Sequence, residues 1–283
     1  MRVADDTTHG EPDTSPRRRF RAWAGDSSLD TLTAMIRPVA LITGVGRRAG
    51  IGAAIAKQLA ADGWDLALTY WTPYDEKMPW GVQPTETSVI GEELTSMGTR
   101  VFSMPANLEQ PGSAVGIFEA ANKALGRISA LVLSHCESVE CGILNTTLES
   151  FDRHFAVNVR ASWQLIRELA LQVPETGGRI VALTSDATVG NVAYGASKGA
   201  LDRIVVAAAR ELGRLNITSN VVNPGPTDTG WMDETTRKAL MDCQPSGRLG
   251  TPQDAAKVVS FLLSPAGSWI NGQLIKSDGG LSA

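Results

Sequence analysis

Tyr194 and Lys198 stand four residues apart in the run YGASKGA, and Ser185 precedes the tyrosine by nine residues, at the end of the apolar run RIVALTS. Positions four apart on a helix share a face. A free tyrosine has a pKa of about 10, and a neighbouring ammonium favours the phenolate and lowers that value. A tyrosine tuned in this way can exchange a proton at neutral pH. Ser185 raises the pair above a chance one, because a strand end is where an α/β fold places its chemistry. The chemistry implied is proton transfer.

A second stretch, LITGVGRRAGIGA from Leu41 to Ala53, speaks for a nucleotide. Gly44, Gly50 and Gly52 follow an apolar strand-like run and open an alanine-rich helical pattern. Glycines permit a tight turn and close backbone approach, and the helix N-terminus offers free N–H groups to a pyrophosphate. Two large cations, Arg47 and Arg48, sit inside this small-residue loop. NAD-binding sites of this kind carry an acid about 20 residues on, for the ribose 2′-hydroxyl. Here the second strand ends Thr69-Tyr70-Trp71 with no acid. An NADP phosphate requires a cation instead, and arginine binds phosphate well. Arg47, Arg48 or both are therefore expected to clamp the 2′-phosphate of NADPH. Asp75 and Glu76 keep an NADH reading open, because the segment WTPYDEKMPWGVQP could fold one of them back to the ribose.

The elements that must position these residues are legible along the chain. Seven strand-like runs (VALIT, DLALTY, RVFSMP, ALVLS, RIVALTS, ITSNVV and QLIKS) alternate with helical patterns from Ile36 onward. One of those patterns is read as a single helix over residues 148–170, and another as a helix starting at Ser197. Alternation of this kind predicts an α/β fold with a doubly wound parallel sheet of seven strands and helices on both faces. The strands read as continuous apolar runs, as buried parallel strands do. The domain is expected over residues 35–283. Residues 1–34 are polar, proline-containing and aperiodic, and are expected to be a disordered, dispensable extension.

The 283 residues are 43% hydrophobic with a net charge of −4. That balance argues against nucleic acid as a partner, and no apolar run is long enough to span a membrane. The three cysteines, Cys136, Cys141 and Cys243, form no CxxC pair and read as reduced thiols of a cytoplasmic protein. No spacing of His, Cys and Asp reads as a metal site.

From about Ile36 to Ala283 the chain resembles the short-chain dehydrogenase/reductase family, single-domain type, and within it the 3-oxoacyl-[acyl-carrier-protein] reductases. The matching pieces occur in family order: the glycine loop, with two extra residues covering the arginines; ANL at 106–108; VNV around Asn158; Ser185; YGASK; NPGPTDT at 223–229; GRLGTPQDAA; and INGQLIKSDGG. The resemblance implies a Rossmann-type fold and an oxidoreductase that moves a hydride between NADPH and a small carbonyl substrate. Ser185 would polarise the carbonyl and Tyr194 would donate the proton. Lys198 would tune the tyrosine and hold the nicotinamide ribose, and Asn158 would support a proton-supplying water chain. Besides the loop residues Gly44, Gly50, Ile51 and Gly52, the cofactor would meet Tyr70, Trp71, Ser134, Tyr194, Lys198, Pro224, Gly225, Thr227 and Thr229, with Asn107 and Leu108 facing the adenine. An NAD-dependent secondary alcohol dehydrogenase and a non-catalytic cofactor sensor are the alternatives.

Two departures stand out. The family's Asn-Asn-Ala-Gly reads Leu133-Ser134-His135-Cys136, with His135 expected to be a structural polar residue, and Asn107 replaces an aspartate. His154 is expected on a helix surface. The segment from Thr229 to Gln244 is expected to be a lid whose Trp231, Met232, Leu240 and Met241 favour an apolar or extended substrate. The helix from Ser197 to Leu212 carries more apolar residues than one face needs, which implies a homodimer or homotetramer.

Overall fold

A computed structural model describes residues 37–283. The expected N-terminal extension lies outside the described residues. Seven strands form one sheet: β1 (Val39–Thr43), β2 (Asp65–Tyr70), β3 (Val101–Pro105), β4 (Ile128–Leu133), β5 (Gly178–Leu183), β6 (Ile217–Asn223) and β7 (Leu274–Lys276). Every pairing is parallel, and the order across the sheet is β3-β2-β1-β4-β5-β6-β7. The chain winds outward from β1 to β3, then returns to place β4 beside β1. That reversal leaves a crevice at the carboxyl ends of β1 and β4, where ligands of such sheets sit.

The continuous apolar runs are explained by two cores, one on each face. On one face Leu41, Leu131, Leu133 and Ile180 pack against helices α4 (Ser113–Leu125), α6 (Ser162–Gln172) and α7 (Val192–Glu211). On the other, Ala40, Ile42, Val132 and Val181 pack against α1 (Ile51–Ala61), α3 (Glu86–Ser96) and α9 (Pro252–Leu263). Alternate residues of one strand thus serve opposite layers. Two further helices are not part of either layer: α2 (Thr72–Asp75), in the long β2–α3 connection, and α8 (Glu234–Cys243).

Two helices differ from the sequence reading. The segment expected as one helix over 148–170 is α5 (Leu148–His154), a π-helical stretch over Phe155–Ala161, then α6. Apolar periodicity does not distinguish the wider turn from an α-helical one. Such wide turns are frequent at functional sites, and this one carries Asn158. The second is α7, which begins at Val192, a few residues before the pattern read from Ser197, and so carries Tyr194 and Lys198 together in its first turns, as their spacing predicts.

His154 corrects the reading of a helix-surface residue: it is fully buried. It ends α5 where the π-helical stretch begins, facing the loop that follows β4. Its Nε2 accepts the Val139 N–H at 3.1 Å, and its Nδ1–H donates to the Ser150 carbonyl at 2.6 Å. The first bond requires a bare Nε2, so the proton is on Nδ1 and the ring is neutral. The ring pins the post-β4 loop to α5. His154→Ala removes both bonds and leaves a cavity, so it should lower the unfolding free energy by about 2–3 kcal/mol, read from the urea midpoint; a loss under about 0.5 kcal/mol would contradict that role.

Candidate active site

The glycines create the crevice by letting backbone touch backbone. Gly44 turns at φ +76°, where L-residues are strained, and a Cβ there would lie 2.8 Å from the Ser134 carbonyl oxygen and from the His135 Cα. A Cβ on Gly52 would lie 2.7 Å from the Gly44 carbonyl and 3.4 Å from Ser134 Oγ. Gly50 is the residue before α1, which opens with Ile51, and no side chain caps the helix end. The cradle therefore presents backbone N–H groups and no side-chain bulk, which fits a dinucleotide phosphate.

His135 is buried beside this cradle. Its Nδ1 lies 2.7 Å from Thr43 Oγ1, and its Nε2 lies 3.0 Å from the Val157 carbonyl. A carbonyl only accepts, so Nε2 carries the proton and Nδ1 accepts from the threonine. Burial, with the Lys198 charge adding to it, pulls the His135 pKa down to about 3. The ring is a neutral strut joining β1, β4 and the π-helical stretch, in keeping with a structural residue.

Across the crevice, Lys198 is buried and its Nζ donates to the Leu183 carbonyl at 2.9 Å. The same nitrogen lies 5.7 Å from the centroid of the Tyr194 ring. Ser185 belongs to the loop after β5, and its Oγ accepts the Ala187 N–H at 3.2 Å. Asn158 is tied on both sides: Oδ1 accepts the Glu137 N–H at 2.7 Å, and Nδ2 donates to the Glu137 carbonyl and to Ser197 Oγ, each at 2.9 Å. Ser197 in turn donates to the Tyr194 carbonyl at 2.7 Å. Asn158 is thus joined through α7 to the backbone of the tyrosine.

The expected lowering of the tyrosine pKa is not what this geometry gives. Burial pushes the Tyr194 phenol well up, the nearby Cys136 thiol adds to the rise, and the Ser185 hydroxyl pulls the other way. Lys198 Nζ lies 5.7 Å from the ring centroid, and burial draws its own pKa down. Cys136, read from the sequence as a reduced thiol and a departure from a motif, lies near Tyr194; burial keeps its thiol protonated, and it is close enough to feel the Lys198 charge.

The two arginines diverge. Arg47 reaches across the crevice, donating from Nη2 to the Thr229 carbonyl at 2.8 Å, with its guanidinium 4.4 Å from the Trp80 ring centroid. Arg48 turns outward and pairs with Glu93 of α3, while its backbone N–H donates to Glu86 at 2.6 Å. Of the two acids in the 71–84 segment, Asp75 does fold back: its Oδ2 lies 3.0 Å from where a Gly46 Cβ would be, and its Oδ1 accepts the Trp80 indole N–H at 2.9 Å. Tyr74 of the same segment donates to the Ser138 carbonyl at 3.3 Å. Trp80 and Tyr74 were not singled out from the sequence, where an aromatic residue in a turn carries no mark of its distant partners.

The other residues expected at the cofactor fall around the same crevice with different freedoms. Val45 N–H donates to the Thr69 carbonyl at 2.8 Å, which holds the glycine loop against the end of β2, where Tyr70 and the exposed Trp71 stand. The Asn107 side chain accepts the Glu109 N–H at 3.0 Å, and the Leu108 side chain packs in the core. After β6, Pro224 precedes Gly225, which turns at φ +62° with Asp278 packed where a Cβ would be. Thr227 turns its hydroxyl to the Gly225 carbonyl at 3.2 Å, and Thr229 offers its carbonyl to Arg47.

Residues 44–282 match the family model described as Enoyl-(Acyl carrier protein) reductase. The chain belongs to the short-chain dehydrogenase/reductase family. It is 36% identical over 252 residues to the uncharacterized oxidoreductase YjdA of Bacillus subtilis (strain 168), covering 86% of this chain and 96% of that one. It is 33% identical over 255 residues to an NADPH-dependent aldehyde reductase-like protein, chloroplastic, of Arabidopsis thaliana, covering 86% and 93%. Among solved structures, the angucycline C-6 ketoreductase LanV with bound NADP superposes with a TM-score of 0.77 at 32% identity, covering 87% of this chain and 96% of that one. This short-chain dehydrogenase/reductase is an NAD(P)-dependent oxidoreductase. The cradle can be tested directly. Gly52→Ala should weaken dinucleotide binding at least about tenfold, measured by calorimetry, whereas Gly116→Ala on α4, whose Cβ meets nothing within 4 Å, should bind normally.

Proposed function

We propose that this enzyme reduces a ketone or other carbonyl with NADPH as hydride donor. The observation that carries the coenzyme reading is the loop itself: Arg47 and Arg48 stand in the segment that Val45 bonds to the end of β2, where Thr69, Tyr70 and Trp71 offer no acid. The relatives' printed names point the same way, one to an NADPH-dependent aldehyde reductase and one to a ketoreductase with NADP. The second reading, an NAD-linked alcohol dehydrogenase, draws on one fact, the return of Asp75 to Gly46. Titrating the protein with NADPH and with NADH discriminates. A preference for NADPH that disappears in the Arg47→Ala, Arg48→Ala double variant supports the phosphate clamp; equal binding, or an NADH preference, rejects it.

Bound NADPH supplies the hydride; the chain supplies position and the proton. Ser185 holds the carbonyl oxygen. Tyr194 donates the proton to that oxygen, and the burial that keeps the phenol protonated suits it to act as the acid. Lys198 holds the cofactor ribose through donors that Leu183 does not use. Asn158 fixes the Glu137 loop and, through Ser197, the start of α7. The substrate is apolar or extended: Trp231, shortly before α8, and Met241, on α8, are half-exposed, α8 buries none of its residues, and Val189 is exposed five residues before Tyr194. Val206 and Ala207 on α7 are exposed apolar residues, consistent with a symmetric subunit contact along that helix.

The raised tyrosine pKa gives the reaction a direction-dependent pH profile. In reduction the acid form is the active one, so kcat should stay level from about pH 6 to about pH 8. In oxidation the phenolate must form first, so kcat should climb about tenfold per pH unit over the same range. Tyr194→Phe should cost about a thousandfold in kcat while cofactor binding persists; parallel pH profiles in the two directions, or an active Phe variant, would remove Tyr194 from the role.

A further inference from the structure

Trp80 makes two contacts with opposite implications for the coenzyme. Its ring face carries the Arg47 guanidinium, 4.4 Å from the centroid. Its indole N–H occupies the Asp75 carboxylate at 2.9 Å. The cation is the group that recognises a 2′-phosphate, and the acid is the group that recognises a 2′-hydroxyl. Both belong to the rim of one small cavity of about 20 Å³ beside the glycine loop, with Gly46, Thr72 and Glu86 among its other walls. Burial raises the Asp75 pKa, and the Trp80 hydrogen bond and the Arg47 charge both lower it, so all three groups act on one another.

We infer that Trp80 is the positioning residue that sets coenzyme choice, its face presenting Arg47 to the phosphate and its N–H withholding Asp75 from the ribose. The inference rests on the NADPH reading above and assigns that preference to a residue outside the glycine motif. A guanidinium on a tryptophan face is attracted to the ring quadrupole, and the ring also limits the orientations a long, exposed side chain can take. A carboxylate that already accepts an indole N–H must give up that bond before it can serve a hydroxyl. Tyr74, the residue before Asp75 in the short α2 helix, donates to the Ser138 carbonyl at 3.3 Å, so the segment that carries Trp80 is also fastened to the post-β4 loop.

The two roles separate by substitution, because phenylalanine keeps a ring face and lacks the N–H, whereas leucine lacks both. The full chain and its variants would be titrated calorimetrically with NADPH and NADH. Trp80→Leu should raise the NADPH dissociation constant about fivefold without an equal loss for NADH. Trp80→Phe should leave NADPH within about twofold and tighten NADH about threefold, a gain that Asp75→Ala added to it should erase. If both coenzymes weaken by the same factor in both variants, or neither changes, Trp80 only shapes the loop and the inference is overturned. Arg47→Ala reads the phosphate clamp separately. If it leaves NADPH binding unchanged, the clamp itself is rejected; if it abolishes the preference while the Trp80 variants retain it, only the role of Trp80 fails.

Discussion

The site depends on the approach of the first strand's end to the fourth. β1 and β4 are neighbours because the strand order reverses there, and Gly44 must pass within contact distance of the Ser134 and His135 backbone. No residue with a Cβ makes that turn at φ +76° without displacing β4. The consequences run on through hydrogen bonds. With β4 held in place, His135 reaches Thr43 on one side and Val157 on the other. The π-helical stretch that holds Val157 also holds Asn158, which fixes the Glu137 loop and Ser197, and Ser197 bonds the backbone of Tyr194. A constraint at a glycine is therefore transmitted to the catalytic candidate across three elements, each step a bond to a buried group.

The opposite half of the site is governed by burial. Lys198 and Tyr194 share a water-poor environment that disfavours the charged form of each, so the lysine pKa is drawn down and the tyrosine pKa up. Removing an ammonium from water is costly unless it is hydrogen-bonded. Among the described residues its hydrogen-bond acceptor is the Leu183 carbonyl at the end of β5, and an ammonium has three donors. The arrangement leaves donor capacity in a buried place, which is what a hydroxyl-rich ligand would use. Structural economy alone would not keep an unpaired cation there, since an apolar side chain of the same volume would pack at lower cost.

How much of this was written in the sequence differs by the range of the interaction. The strands were legible because each is a short apolar run serving two cores, as Leu41 and Ile42 do on opposite faces. The Ser185, Tyr194 and Lys198 set was legible because it is local, a strand end followed by one helix turn. The π-helical stretch was not: Phe155–Ala161 has the apolar content of an α-helix, and the extra width appears only when Asn158 and His154 must both reach the post-β4 loop. The tyrosine's electrostatics were misjudged for a related reason. Residue spacing puts an ammonium near a phenol, but it does not say how deeply both are buried.

The arginine loop and the long β2–α3 connection are best understood as one feature. Arg47 and Arg48 stand in the glycine loop, and the 71–84 segment and α3 behind it supply partners for them. Trp80 receives Arg47, while Glu86 and Glu93 at and within α3 receive the backbone and side chain of Arg48. The exposed Arg48–Glu93 pair contributes little to stability in water, so its value lies in where it holds the loop. Arg47, bonded to the Thr229 carbonyl 182 positions later in sequence, joins the glycine loop to the segment after β6 that leads into α8. Two large cations are tolerable in a small-residue turn because neither occupies it: each extends out of the cradle, one across the crevice and one away from it, and the space between the glycines is left to backbone N–H groups. Without Trp80 the Arg47 guanidinium would lose its ring partner, and without α3 Arg48 would lose Glu93.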